Sequence, residues 1–180
     1  MKKAVLLFFW ALLLYSCKEV SFRQPQPNGV NALQEVPKTL QGRYVGIDDK
    51  GKDTDTLIIE SRGYHFKDAK DNDWLGKGAI SDSLVIKYYQ NYYFVNFRSG
   101  DQWVLRLLKQ KSNGSIEFMT IPVSDDAKRK DILKKLSKKF TVKEVKRKDD
   151  TFFEINPTKE QLMQLIKEGF FSGNELSKVK

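Results

Sequence analysis

The residues best suited to chemistry in this 180-residue chain are one cysteine, one histidine and two runs of carboxylates. As a nucleophile or metal ligand, Cys17 would need a histidine to activate it or further thiols to share a metal. The single histidine, His65, lies between Tyr64 and Phe66 in a short strand-like pattern, which reads as a structural or surface position rather than a base. Zinc ligation and Ser–His or Cys–His catalysis therefore have no residue set to build on. The carboxylates Asp48, Asp49, Asp53 and Asp55, and then Asp68, Asp71 and Asp73, raise calcium as a candidate. Asp49, Asp53, Asp55 and Glu60 fall at the first, fifth, seventh and twelfth positions of an EF-hand-type loop. Thr54, however, stands where the sharp turn wants glycine, no helices flank the loop, and the second cluster has Leu75 where an oxygen ligand belongs. Both clusters read as solvated turns, and no metal or cofactor is expected. A pair of carboxylates acting as a hydrolase depends on spatial approach, which spacing does not reveal.

The surroundings of Cys17 give it another role. Lys2 and Lys3 precede eleven uninterrupted apolar residues, Ala4 to Leu14, followed by Tyr15, Ser16 and Cys17. A basic start, a short apolar core and a small residue at the break define a secretory signal peptide, and a spanning helix would need about 20 apolar residues. Leu14, Tyr15, Ser16 and Cys17 resemble the lipobox of bacterial lipoproteins. The resemblance implies cleavage before Cys17, a diacylglycerol on its thiol, acylation (palmitate or a similar chain) of its new amino group, and attachment to a membrane. Lys18, rather than aspartate, after the cysteine implies the outer membrane. Lys18-Glu19 is also similar to the charged export tags of Bacteroidota surface lipoproteins. On this reading residues 1–16 are the signal peptide, 17–38 are a lipidated N-terminus with a flexible proline-bearing linker, and 39–180 are a single β-rich domain.

Loss of Lys2 and Lys3 would reduce the formal charge from +9 to +7. Most of it is local. Between Lys128 and Lys148 lie eleven basic residues against only Asp131 and Glu144. Lys128, Arg129, Lys130, Lys134, Lys135, Lys138 and Lys139 form the candidate patch for an anionic partner, either acidic glycan or anionic headgroups. Its simpler reading is a solvated helix face. Nucleic acid is not expected of an exported chain that lacks a nucleic-acid-binding motif. The other concentration is aromatic, "YYQNYYFVNF" at 88–97. Strand alternation puts Tyr92 and Phe94 on one face and Tyr93, Val95 and Phe97 on the other. With Trp103 from the next strand, Tyr92 and Phe94 are candidate ligand-facing aromatics, unless they simply fill the core.

The elements that must position these residues are mostly strands. "LQGRYVGI", "DTLIIES", "YHFKD", "DSLVIKYY", "NYYFVNF", "DQWVLRLL", "GSIEFMTI", "FTVKEVK" and "TFFEI" are rich in β-branched and aromatic residues and separated by short polar breaks. A helix is expected over about 126–139, capped by Ser124 or Asp125, with Ile132, Leu133, Leu136 and Phe140 as its stripe. A second should start at Thr158, where Gln161 completes a capping box, and end at Gly169. The fold expected is mainly β (α+β), an antiparallel meander forming a curved sheet or lipocalin-like barrel, with two amphipathic helices in the C-terminal third. Gly42 and Tyr44 are similar to the Gly-x-Trp opening of lipocalin-type barrels. The lipobox, proline-bearing linker, Leu-x-Gly-x-Tyr strand and aromatic meander together resemble envelope lipoproteins of Bacteroidota. "DTL" at 55–57 and "DSL" at 82–84 match the short O-glycosylation pattern of that group. With no catalytic residue set in view, the function expected is a non-enzymatic binding or interaction module of the envelope, with an accessory subunit of an envelope complex or a carboxylate-dependent hydrolase as alternatives.

Overall fold

The computed structural model describes residues 18–47, 53–68, 75–148 and 150–179. Among these the chain forms twelve strands and two helices. The strands are β1 (Lys18–Phe22), β2 (Gly42–Ile47), β3 (Asp53–Glu60), β4 (Gly63–Phe66), β5 (Lys77–Ala79), β6 (Leu84–Tyr89), β7 (Tyr92–Ser99), β8 (Gln102–Gln110), β9 (Ile116–Thr120), β10 (Lys143–Arg147), β11 (Asp150–Glu154) and β12 (Ser172–Val179). The helices are α1 (Asp126–Ser137) and α2 (Lys159–Lys167). All strands join one mainly antiparallel curved sheet, ordered β10-β11-β1-β8-β9-β12-β2-β3-β4-β5, with β7 and then β6 branching from β8. The sheet is open, so of the two architectures expected it is the curved sheet that forms and not a closed barrel.

The meander β6 to β9 follows from its turns. Gln90 and Asn91 both take positive φ, the backbone of a two-residue type I′ hairpin whose twist matches the strands it joins. β8 is the branch point. One of its edges carries β7 over almost its whole length, and the other is shared by β1 at Trp103–Val104 and β9 from Leu107 to Gln110. Because side chains alternate, β7 and β8 present two buried faces. Phe94, Leu105 and Leu107 lie in a core with Leu136 of α1 and Leu162 and Leu165 of α2. Val95, Phe97 and Leu108 lie in the other, with Leu57 and Ile59 of β3 and Tyr44 of β2. Both helices are capped as expected. The Asp125 carboxylate accepts from the Ala127 and Lys128 amides, and Thr158 and Gln161 form the reciprocal capping box.

The segment 17–38 corrects the linker reading. Cys17 lies outside the described residues, but from Lys18 onward the chain is folded into the sheet. β1 runs parallel to β11 and antiparallel to β8, with Val20 and Phe22 buried in the helix-side core. Beyond it Gln26, Val36 and Leu40 are buried. Proline-bearing backbone stays ordered here because distant side chains satisfy its polar groups. Lys87 Nζ donates to the carbonyls of Pro25 (2.8 Å) and Pro27 (2.9 Å), and Asn96 brackets the backbone of Gln26 with Oδ1 on its N–H and Nδ2 on its carbonyl. Residues 18–38 thus belong to the folded body.

The Leu-x-Gly-x-Tyr pattern is a structural device. Tyr44 is fully buried and its hydroxyl donates to the Leu40 carbonyl at 2.8 Å. Gly42, at φ +146°, sits where an added Cβ would lie 2.6 Å from Lys178 Cε. Lys178 passes over the Tyr44 ring and donates to the Thr39 carbonyl.

Candidate functional site

The helices cover only one face of the sheet. On the other, residues two apart on successive strands point inward together: Leu57 and Ile59 on β3, Tyr64 and Phe66 on β4, Val95 and Phe97 on β7, Arg106 and Leu108 on β8. With Ile86 and Phe118 they enclose a partly open cavity of about 380 Å³ whose surface is almost wholly apolar. That volume lies within the usual range for small-molecule sites. Val36 and Leu40, from the N-terminal segment, complete its wall. Tyr64 is fixed edge-on to Phe66 and Phe97, with its hydroxyl donating to the Leu75 carbonyl at 2.7 Å. Gly63 permits the close approach of β5, since a Cβ there would fall 2.0 Å from the Gly78 carbonyl oxygen.

Among the described residues that line the cavity, one is charged. Arg106 is 7% exposed and forms a bidentate pair with Glu19 of β1, Nη2 to Oε1 at 2.5 Å and Nη1 to Oε2 at 3.1 Å. Nη1 also donates to Thr120 Oγ1 and the Leu105 carbonyl. A second polar cluster lies nearby, where Ser21 donates to Gln102, and Gln102 and Arg23 both donate to Glu154. Burial alone would raise the Glu154 carboxyl; the bonds from Arg23 and Gln102 outweigh it and hold the group below its usual range. Burial, with Tyr93 nearby, pushes the Tyr44 hydroxyl up to about 12. Burial lowers the Lys87 ammonium.

The aromatics expected to face a ligand are on the wrong side of the sheet. Phe94 is fully buried in the helix-side core, and Tyr92 and Trp103 pack against its margin. Alternation separates the two sets as expected, but the cavity belongs to the face of Val95 and Phe97. Arg106 escaped notice, although one arginine among Val104, Leu105, Leu107 and Leu108 is a signal that a buried charge needs a partner. Glu19 is that partner and Lys18 Nζ lies 3.3 Å from Asp126, so both members of the would-be export tag make folded contacts.

The cations of α1, and Lys138 and Lys139 just after it, are largely exposed. Lys128 pairs with Asp125, Arg129 with Asp126, Lys135 with Asp131 and Lys139 with Glu168. Lys130, Lys134 and Lys138 have no carboxylate partner among the described residues. His65 is half-exposed with Nδ1 3.9 Å from Glu60 Oε2, an exposed contact with no nucleophile attached. Asp48, Asp49, Asp71 and Asp73 lie outside the described residues; among those described, no group of three His, Cys, Asp or Glu could hold a metal. Of the two glycosylation-like positions, Thr56 is half-buried within β3, whereas Ser83 is exposed before β6. No described helix is long and apolar enough to cross a membrane.

Fold and site define a class in physical terms only, an open curved β-sheet that shields one face with helices and cups an apolar cavity with the other. No protein family, curated protein or solved structure matches the chain.

Proposed function

We propose that the chain is a non-enzymatic, lipid-anchored binding module of the bacterial cell envelope, held at the outer membrane through Cys17, whose ligand is an apolar small molecule. The observation that carries the binding role is the cavity of about 380 Å³ lined by Leu57, Ile59, Phe66, Val95 and Phe97. Apolar lining of this extent attracts a ligand through burial at about 25 cal/mol per Å². A single acyl chain or a compact ring system matches its size and chemistry. The anchor rests on the lipobox-like run before Lys18. Without a linker, a lipid on Cys17 would lead directly into β1, so the module would sit against the bilayer instead of above it. The contact of Lys18 with Asp126 sets the first turn of the basic helix α1 beside that attachment, where its cations can meet anionic headgroups.

The test uses a neutral apolar fluorophore, N-phenyl-1-naphthylamine. It should brighten and shift to the blue with the folded chain and do neither with Val95→Trp or Ile59→Trp, which fill the cavity. Equal binding by all three chains, each confirmed folded by circular dichroism, rejects the cavity as the site. Separately, Cys17→Ser should move the protein from the membrane fraction to the soluble one.

A further inference from the structure

The Arg106–Glu19 pair does more than close one side of the cavity. A guanidinium carries five N–H donors in a planar fork. Glu19 occupies the end of that fork, taking one bond from each Nη, and Nη1 spends its remaining capacity on Thr120 and Leu105. What is left is the side of the fork, Nε–H and the second Nη2–H. Neither has an acceptor among the described residues. Arg106 is only 7% exposed, and among the described residues it is the one charged residue lining the cavity. With Arg106 among the residues lining the cavity, these two parallel donors are what its guanidinium has left to give an occupant.

Two ligand chemistries suit such a fork, a carboxylate and a neutral carbonyl. Charge balance separates them. Glu19 already neutralises Arg106 at 2.5 Å, so an anionic head beside the same guanidinium would face Glu19 and leave one negative charge uncompensated in a poorly solvated space. A neutral ester or amide carbonyl satisfies the donors without adding charge.

We infer that the cavity selects uncharged amphiphiles, one acyl chain carrying an ester or amide carbonyl, with Arg106 donating to that carbonyl and Glu19 setting the preference against carboxylates. This rests on the cavity reading above. It adds that Glu19, a residue of the N-terminal strand, is a specificity-determining position.

The experiment displaces N-phenyl-1-naphthylamine with three ligands of equal chain length: methyl laurate, laurate and dodecane. In the unsubstituted chain methyl laurate should displace the probe at about tenfold lower concentration than dodecane, the gain of one hydrogen bond to a charged donor. That comparison involves no ionised ligand and no substitution, so it stands even if a variant fails to fold. Glu19→Gln then frees the Arg106 charge. Laurate should gain on methyl laurate by about tenfold or more, while the ester-to-alkane ratio changes little. Dodecane matching methyl laurate, or an unchanged laurate-to-ester ratio in a folded Glu19→Gln chain, overturns the inference while leaving the cavity standing. If the probe itself does not bind, it is the cavity reading that falls.

Discussion

Replacing Phe22 with alanine tests the most consequential feature of this fold, the incorporation of the N-terminal segment into the sheet. Phe22 is 1% exposed and sits in the helix-side core, with β8 beside it at Trp103. Truncating a fully buried phenylalanine removes its transfer free energy and leaves a void that neighbours only partly fill, a combined loss of about 3–5 kcal/mol. For a domain whose whole stability is of the order of 5–15 kcal/mol, that is a large fraction. The assay is urea unfolding followed by tryptophan fluorescence and far-ultraviolet circular dichroism. With a denaturant slope of roughly 2 kcal/mol per molar, the midpoint should fall by about 2 M. Gln24→Ala, two residues further on and exposed, is the control and should stay within about 0.5 kcal/mol. A shift for Phe22→Ala no larger than that of the control would falsify the placement of β1, because a free linker has no core to lose.

Two further expectations concern pH. The Tyr44 hydroxyl is held up at about 12 against an ordinary value of 10, so its stabilising contribution is complete below pH 10 and lost as pH rises towards 12. Two pH units correspond to about 2.7 kcal/mol at most; Tyr44→Phe should flatten the decline between urea midpoints measured at pH 9.5 and 11.5, and an unaltered decline would assign the effect elsewhere. The Glu154 carboxyl is held below its usual range, so its contribution is present above about pH 4.5 and disappears as pH falls through the lowered value. Glu154→Gln should be less stable than the parent chain at pH 7 and differ less from it near pH 3, read as melting temperatures at both pH values; a constant difference contradicts the network with Arg23 and Gln102.

Much of this architecture is legible locally. The meander from Leu84 to Thr120 declares itself through β-branched and aromatic runs broken by Gln90-Asn91 and Gly100, and both helices through their caps, because those signals lie within a few residues of each other. What the sequence hides depends on distant partners. β1 is a five-residue strand of mixed polarity whose ordering needs Glu154, Val104 and Arg106, each more than eighty residues away. β12 is exposed along nearly its whole length, so it has no alternation to betray it, yet it bridges β9 and β2. For the site, alternation sorted Tyr92 and Phe94 from Val95 and Phe97 correctly. Which set faces the cavity was decided by the helices, whose apolar stripes from Leu136, Leu162 and Leu165 cover the face of Phe94.

That division of labour also explains why a cavity exists. A sheet with both faces apolar must cover both. Here α1 and α2 serve one face, and the other has only the curvature of the sheet and the segment through Val36 and Leu40 to close over it. The side chains that meet there leave about 380 Å³ unfilled. The cavity is partly open, and its apolar walls left facing solvent forgo about 25 cal/mol for each Å² that an occupant would cover. Water relieves this poorly, because a buried water wants two to four polar partners and the lining offers the free edge of Arg106 and little else. An occupant with an apolar body relieves it well. The same shortage of polar partners that makes the cavity costly to the empty chain makes a ligand with one carbonyl and one hydrocarbon chain the arrangement its apolar walls and Arg106 best accommodate.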